Sequence, residues 1–146
     1  MEKIAKEYED PNVGYVYTNW KYSHNGELGI SRKIPGPEWD PYTSEWITSA
    51  MSTFRVREFL DIPIENFLRW DYKWFSMGVD QAYALPIIRK IRLRDGDYRN
   101  VRFIDEPLYV YQFLENPNKP RDERTMDMTM DAARSVNFIR DRGYLR

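Results

Sequence analysis

The chain contains no cysteine and only one histidine, His24, among its 146 residues. The missing thiols exclude disulfide bonds, thiolate metal sites and a cysteine nucleophile, and they are consistent with a reducing compartment. With one histidine and no cysteine, a histidine-rich metal cluster cannot be assembled. Because His24 comes one residue before a predicted turn, we expect it to be a solvated surface residue.

Long apolar runs and an excess of one charge are also missing. No stretch approaches the ~18 apolar residues of a membrane span, and the N-terminus lacks the apolar core of a signal peptide. We therefore expect a soluble, cytoplasmic protein without a membrane span. The 22 Lys and Arg residues are balanced by 23 Asp and Glu residues, so charge gives no argument for a nucleic-acid partner. The chain also has no glycine-rich phosphate loop.

Aromatic side chains are abundant: they make up 16% of the residues, including 11 Tyr and 5 Trp. Such rings either fill a core or line a site for flat or sugar-like ligands, and composition does not separate the two. The length favours one domain, residues 1–146, which is large enough to bury a core without disulfide bonds.

Turn residues and periodicity predict mixed secondary structure, with strands and helices interleaved. The Asn25-Gly26 pair is the strongest hairpin signal in the chain, and the prolines of the following segment indicate an irregular loop. The predicted elements of the first half are a helix at 2–9, a strand at 13–20, a second hairpin strand at 28–30, a loop at 33–45, and a short strand and short helix within 46–62.

The second half is predicted to contain a buried helix, two strands and a closing helix. Apolar residues from Val79 to Ile91 recur at helical spacing, and Pro86 is expected to kink that helix. The other predicted elements are a charged turn at 92–99, strands at 101–104 and 108–113, a loop at 116–120 and a helix at 121–141. The order predicts an α/β fold in which strands 13–20 and 101–113 share one sheet.

Asp80 is the most informative carboxylate of the sequence. It lies near the start of the apolar helix and just after an aromatic-rich segment, where Trp74 and Phe75 could desolvate it. Desolvation raises a carboxyl pKa toward the working range of a general base. The same position also suits helix capping, since acidic residues are favoured at helix N-termini. Both interpretations remain open on spacing alone.

Two other patterns have a structural and a functional interpretation. Asp95-Gly96-Asp97 has the spacing of a divalent-cation motif, but it follows Arg92-Leu93-Arg94, and its position between a predicted helix and a predicted strand favours a solvated turn. Trp70, Tyr72, Trp74 and Phe75 could form an aromatic platform for the apolar faces of sugars, or they could be core residues under an irregular loop.

Several segments, in matching order over residues 1–118, resemble the C-terminal half of family 2 glycosyltransferases with the GT-A fold. The segment at 103–111 is similar to the F-I-x-E-P-L-Y-x-Y sequence near the end of those enzymes. Residues 2–19 resemble the helix and strand that follow their metal-binding D-x-D motif. Segments of one bacterial and phage subgroup are similar to Ser52–Arg55, to Val79–Pro86 and to Asn116–Asn118.

The resemblance implies a partial GT-A fold, a mixed sheet flanked by helices, whose nucleotide-binding half lies upstream of Met1. It implies that Asp80 is the general base of an inverting transfer from a nucleotide-sugar donor to a saccharide or other hydroxyl acceptor. The residues expected at the acceptor site are Trp70, Trp74, Phe75 and Tyr109. The complete enzyme would need a divalent cation, Mg²⁺ or Mn²⁺, but we expect this chain to bind no cation tightly.

The chain departs from the family in two places, and other interpretations remain open. It contains no D-x-D motif in a strand context, and Gln112-Phe113-Leu114 stands where many members have Arg-x-His. A non-enzymatic binding or regulatory module built on half of that fold, or an unrelated α/β interaction protein, would also account for the sequence. An uncovered sheet edge would favour a homo-oligomer.

Overall fold

The computed structural model describes residues 1–111 and 123–144, and it is a mixed α/β structure. Its elements are α1 (Glu2–Glu7), β1 (Tyr15–Tyr22), β2 (Ser52–Phe54), α2 (Val56–Leu60), a 3₁₀-helix (Ile64–Phe67), α3 (Val79–Asp95), β3 (Val101–Tyr111) and α4 (Glu123–Arg142). Among the described residues, no helix combines the length and the apolar character that crossing a bilayer requires.

The three strands form one sheet in the order β2-β1-β3. Strand β1 is antiparallel to β2 and parallel to β3, with Tyr15 opposite both Phe54 and Val101. The predicted sharing of one sheet by the strands at 13–20 and 101–113 is confirmed for the described residues. Because β1 is central and its first six residues are buried, its apolar and aromatic residues pack on both faces of the sheet.

Each face of the sheet carries its own apolar cluster. On one face, Tyr15 and Tyr17 belong to a cluster with Leu85, Ile88 and Ile91 of α3, all five less than 1% exposed. The other face carries a smaller cluster, which contains Ile4 of α1 together with Val13 and Val16. The alternation of side chains along β1 divides its residues between the two clusters.

Helix α3 is four residues longer than its apolar pattern predicts. The predicted charged turn at 92–99 instead begins inside the helix, which continues to Asp95 and ends at Gly96 in the left-handed conformation, φ 79°. Glycine adopts that conformation without steric cost and is the usual helix terminator. Pro86, where a kink was predicted, lies within the continuous helix.

The two strands predicted at 101–104 and 108–113 are one strand, β3, within the described residues. Its register with β1 shifts on either side of Asn19, which is opposite Pro107. Since β3 lies at the edge of the sheet and has an irregularity there, a proline can be accommodated without removing a ladder hydrogen bond. The end of the second predicted strand, residues 112–113, and the predicted loop at 116–120 lie outside the described residues.

The predicted hairpin forms its turn but not its second strand. In place of a strand at 28–30, Leu28 forms an isolated β-bridge with Lys21. The next residue, Gly29, donates its backbone N–H to the Trp20 carbonyl oxygen. Gly29 lies so close to the Trp20 indole that a Cβ atom would meet the ring at 2.0 Å. This packing of ring on backbone replaces strand pairing at that point. His24 is exposed in the turn, where its ring lies 5.3 Å from that of Tyr22.

Candidate functional site

Asp80 lies in the first turn of α3, two residues after the N-cap residue Gly78. Gly78 has a positive φ of 68°, and a Cβ atom there would lie 3.2 Å from Val136 of α4. Glycine therefore allows both the backbone turn and the close approach of α4. Asp80 does not occupy the N-cap position, although backbone N–H groups of Gln81 and of Asp80 itself bond to its carboxylate.

Partial burial of the Asp80 carboxylate raises its pKa above the ordinary value of 3.8. The residue as a whole is solvent-exposed, yet the carboxylate has enough protein around it to lose part of its hydration. The two backbone N–H groups lower the pKa and only partly offset this desolvation. A carboxylate of this kind keeps access to solvent and has an increased affinity for a proton.

The hydroxyl groups of Tyr15, Ser52 and Tyr83 lie close together between α3 and the sheet. The Ser52 and Tyr83 hydroxyls are 2.9 Å apart, and the Tyr15 hydroxyl donates to the Thr48 carbonyl oxygen at 3.3 Å. Burial raises the pKa of Tyr15 well above 10, and the negative charge of Asp80 adds to this effect. We refer to Tyr15, Ser52 and Tyr83 as the hydroxyl cluster, and one of its members, Tyr15, lies within electrostatic reach of Asp80.

The predicted aromatic platform is divided between core and surface. Phe75 is buried, and its ring lies 6.4 Å from that of Phe138 in α4. Trp70 also packs on Phe138, in an edge-to-face contact at 5.7 Å, while Trp74 is 63% exposed. Phe75 thus belongs to the main apolar cluster, and an exposed ring such as Trp74 removes little water from a neighbouring carboxylate.

Trp70 lines an open cavity of about 310 Å³. Its walls combine the rings of Trp70, Tyr72 and Phe138 with the guanidinium groups of Arg69 and Arg142. Arg134 covers the Trp70 indole from another direction, its Cζ 3.9 Å from the ring centroid. The apolar faces and polar rim are the features that a saccharide-binding cavity needs. Asp80 is not among the residues that line it.

Tyr109 is not brought together with the other predicted site residues. It lies on β3 opposite Trp20, five residues along β1 from Tyr15, which corresponds to roughly 16 Å of extended strand. Its ring is 38% exposed and lies beside that of Tyr111. The structure therefore separates Tyr109 from the cluster that adjoins Asp80.

The carboxylates of the Asp95-Gly96-Asp97 segment are occupied by protein donors. Asp95 accepts hydrogen bonds from Arg94 at 2.6 Å and from Asn100 at 2.8 Å, and Asp97 pairs with Arg99 at 2.7 Å. The Arg99 side chain holds the pKa of Asp97 at about 2. Within residues 1–111 and 123–144, no group of three acidic or histidine side chains is arranged to hold a metal ion. The Asp95-Gly96-Asp97 carboxylates are therefore engaged in the turn and are not free to serve as cation ligands.

Sequence reasoning did not assign a role to the hydroxyl cluster. Tyr83 follows Asp80 by three residues, so its position on the same face of the helix was available from helical spacing. Ser52 adjoins Tyr83 only because β2 pairs with β1 beside α3. No periodicity in the sequence predicts that contact, since the two residues are 31 positions apart.

Comparison with known proteins identifies no relative for this fold and site. No family model matches the chain, no curated protein matches it, and no solved structure matches it.

Proposed function

We propose that this chain forms the acceptor side of an inverting glycosyltransferase and that Asp80 is its general base. The observation that carries the proposal is the partly desolvated Asp80 carboxylate, whose pKa is raised while it remains open to solvent. The buried Tyr15 hydroxyl lies within reach of its charge, and no cation forms an ion pair with it among the residues the structure describes. The order of the GT-A-like segments along the chain supports the same proposal.

In the proposed reaction, Asp80 takes the proton of an acceptor hydroxyl while that oxygen attacks the anomeric carbon of a nucleotide sugar. The new C–O bond forms as the bond from that carbon to the departing diphosphate oxygen breaks, so the configuration inverts. A raised pKa suits this role because the base must bind a proton during the transfer and release it afterwards. The hydroxyl cluster would orient Asp80 or the acceptor by hydrogen bonds.

The acceptor would be a saccharide that contacts Trp70 in the 310 Å³ cavity. Rings cover the C–H faces of a sugar, while arginine and carboxylate groups bond to its hydroxyls. The nucleotide-binding half and its Mg²⁺ or Mn²⁺ site belong, in this proposal, to a segment outside the chain. We expect the chain alone to bind nucleotide sugars weakly, and we expect it to form a homo-oligomer through an uncovered edge of the sheet.

A non-enzymatic saccharide-binding module is the second candidate. The observation that favours it is the separation between the cavity and Asp80, which is not among the cavity's lining residues. In such a protein the Asp80 carboxylate would serve only the first-turn N–H groups of α3.

Asp80→Asn separates the two candidates when sugar transfer is measured on the chain joined to a nucleotide-binding half. Asparagine retains the shape and a hydrogen-bond acceptor but cannot take the proton. If Asp80 is the base, turnover falls by about two to four orders of magnitude. Asp97→Asn is the matched control, since Asp97 is held by Arg99, and it should leave turnover unchanged.

Retention of full turnover by Asp80→Asn would eliminate the proposed role of the base. Saccharide binding without any transfer, weakened by Trp70→Ala and unchanged by Asp80→Asn, would instead establish the binding module. Calorimetry of each variant with the acceptor saccharide provides that measurement.

A further inference from the structure

A second and larger cavity, of about 420 Å³, lies at the open edge of β3. Residues from three segments surround the edge: Glu7 at the end of α1, Lys33 in the long loop, and Arg99 in the turn before β3. Three residues of β3 itself, Val101, Arg102 and Phe103, also line the cavity. Adjacent strand residues point to opposite faces of a sheet, so the cavity wraps around the uncovered edge.

Positive charge exceeds negative charge in this cavity, and part of it is unpaired. Lys33 is exposed and forms no ion pair with any described residue. The nearest carboxylate to Arg102 is that of Asp10, at 3.5 Å, and the Arg102 Nε atom is buried without a hydrogen-bond partner in the described part of the chain. The Arg102 side chain as a whole is 41% exposed, so an anionic ligand can reach the accessible part of its guanidinium group. Arg99 is already paired with Asp97.

A neighbouring cavity shows on which side of Arg99 and Arg102 an anion is favoured. Arg99 and Arg102 also line a cavity of about 350 Å³, whose other walls include the carboxylates of Asp10 and Asp95. Those two acids would repel an anion on that side. On the side of the larger cavity, Glu7 is the only acidic residue among the described residues that line it, so an anion is favoured beside Lys33 and Arg102.

The remaining walls suit the uncharged body of a small molecule. The rings of Tyr17 and Phe103 lie 5.0 Å apart, with Ile34 also lining the cavity. Since the Asn100 carbonyl bonds to β1, the alternation of strand backbone places the Phe103 N–H on the open edge, where it can donate. The Glu7 carboxylate can accept hydrogen bonds from hydroxyl groups.

We propose that the cavity between Glu7, Lys33 and Arg102 binds a small phosphate ester whose body carries hydroxyl groups. The phosphate lies against Lys33 and Arg102, because guanidinium and ammonium groups are the usual partners of phosphate. The hydroxylated body lies between Glu7 and the rings of Tyr17 and Phe103. The volume falls within the range of small-molecule sites. This site is separate from Asp80 and does not depend on glycosyl transfer.

Calorimetric titration of the chain with glucose 6-phosphate, inorganic phosphate and glucose tests the proposal. Glucose 6-phosphate should bind about tenfold more tightly than inorganic phosphate, and glucose should show no binding. Lys33→Gln and Arg102→Gln should each weaken binding of the ester by about tenfold. Arg32→Gln is the matched control, because Arg32 is a neighbouring exposed cation that pairs with Glu45 outside the cavity.

Glu7→Ala distinguishes the ester from a bare anion. Removing this carboxylate should weaken glucose 6-phosphate binding, yet leave inorganic phosphate binding unchanged or stronger, because a repulsive charge is lost. Circular dichroism checks that Arg102→Gln remains folded, and Lys33→Gln changes an exposed side chain with no described ion pair. Equal affinities for the ester and inorganic phosphate, no ester binding at low millimolar concentration, or an unchanged affinity in Lys33→Gln would overturn the proposal.

Discussion

The two ends of helix α3 use carboxylates in opposite ways. At the C-terminal end, Glu58 is fully buried and pairs with Arg94 at 2.7 Å and with Arg57 at 3.2 Å. At the N-terminal end, Asp80 is exposed, partly desolvated and bonded to backbone N–H groups. A buried carboxylate that pairs with two arginines has a structural role, whereas a carboxylate without a cationic partner can still accept and release a proton. The N-terminal end of α3 is therefore the candidate for proton transfer.

Arg94→Ala should produce a larger loss of stability than Gly14→Ala or Asp80→Asn. It leaves the Glu58 carboxylate buried with Arg57 alone, and its Oε2 atom already lacks a partner among the described residues. We expect the free energy of unfolding to fall by about 2–3 kcal/mol, measured by urea denaturation. Arg99→Ala is the control, because it breaks an ion pair whose members are 69% and 36% exposed. A loss no larger than that of the control would mean that Glu58 is not held by Arg94.

Gly14→Ala tests how closely the Glu58 carboxylate is packed. A Cβ atom at position 14 would lie 2.9 Å from Glu58 Oε1 and 2.9 Å from Ile91 Cδ1. Since both neighbours are fully buried, we expect a loss of about 1–3 kcal/mol in the free energy of unfolding. Gly36→Ala is the matched control, because its Cβ would meet only the exposed, flexible Glu38 side chain. Equal stability of the two variants would contradict the close packing.

Asp80→Asn should show the smallest effect, which depends on pH. The folded-state pKa of Asp80 is raised by burial, so folding favours the protonated carboxyl group. The stability that this protonated group adds to the folded chain is lost as pH rises through the folded-state pKa. The stability of Asp80→Asn relative to the native chain should therefore increase between about pH 3 and pH 7. Denaturation at several pH values measures this change.

The pKa itself can be measured by NMR titration of the carboxyl carbons. Asp80 should titrate above the ordinary value of 3.8, and Asp97, held by Arg99, should titrate at about 2 in the same spectra. A midpoint for Asp80 at or below 3.8 would show that the backbone N–H groups outweigh desolvation, and it would remove the contrast between the two ends of α3.

The order and type of most elements can be predicted from the amino-acid sequence. The helices near residues 2–9 and 79–91, the strand near 13–20 and the long closing helix are confirmed in the described residues, because each is specified by local periodicity and turn residues. The position of Asp80 in the first turn of α3 followed from the same local pattern. Where packing competes with local preference, as at Gly29 and Pro107, the predicted strand boundaries were wrong.

Which side chains come into contact depends on the packing of the elements against one another. Phe75 entered the core and Trp74 the surface, although they are adjacent, because α4 covers one of the two rings. Tyr109 lies far from Asp80 because the parallel pairing of β1 and β3 sets its register. The partnership of Ser52 with Tyr83 and the cavity at the edge of β3 unite segments distant in sequence. Such contacts depend on how sheet and helices pack together, which local periodicity does not encode.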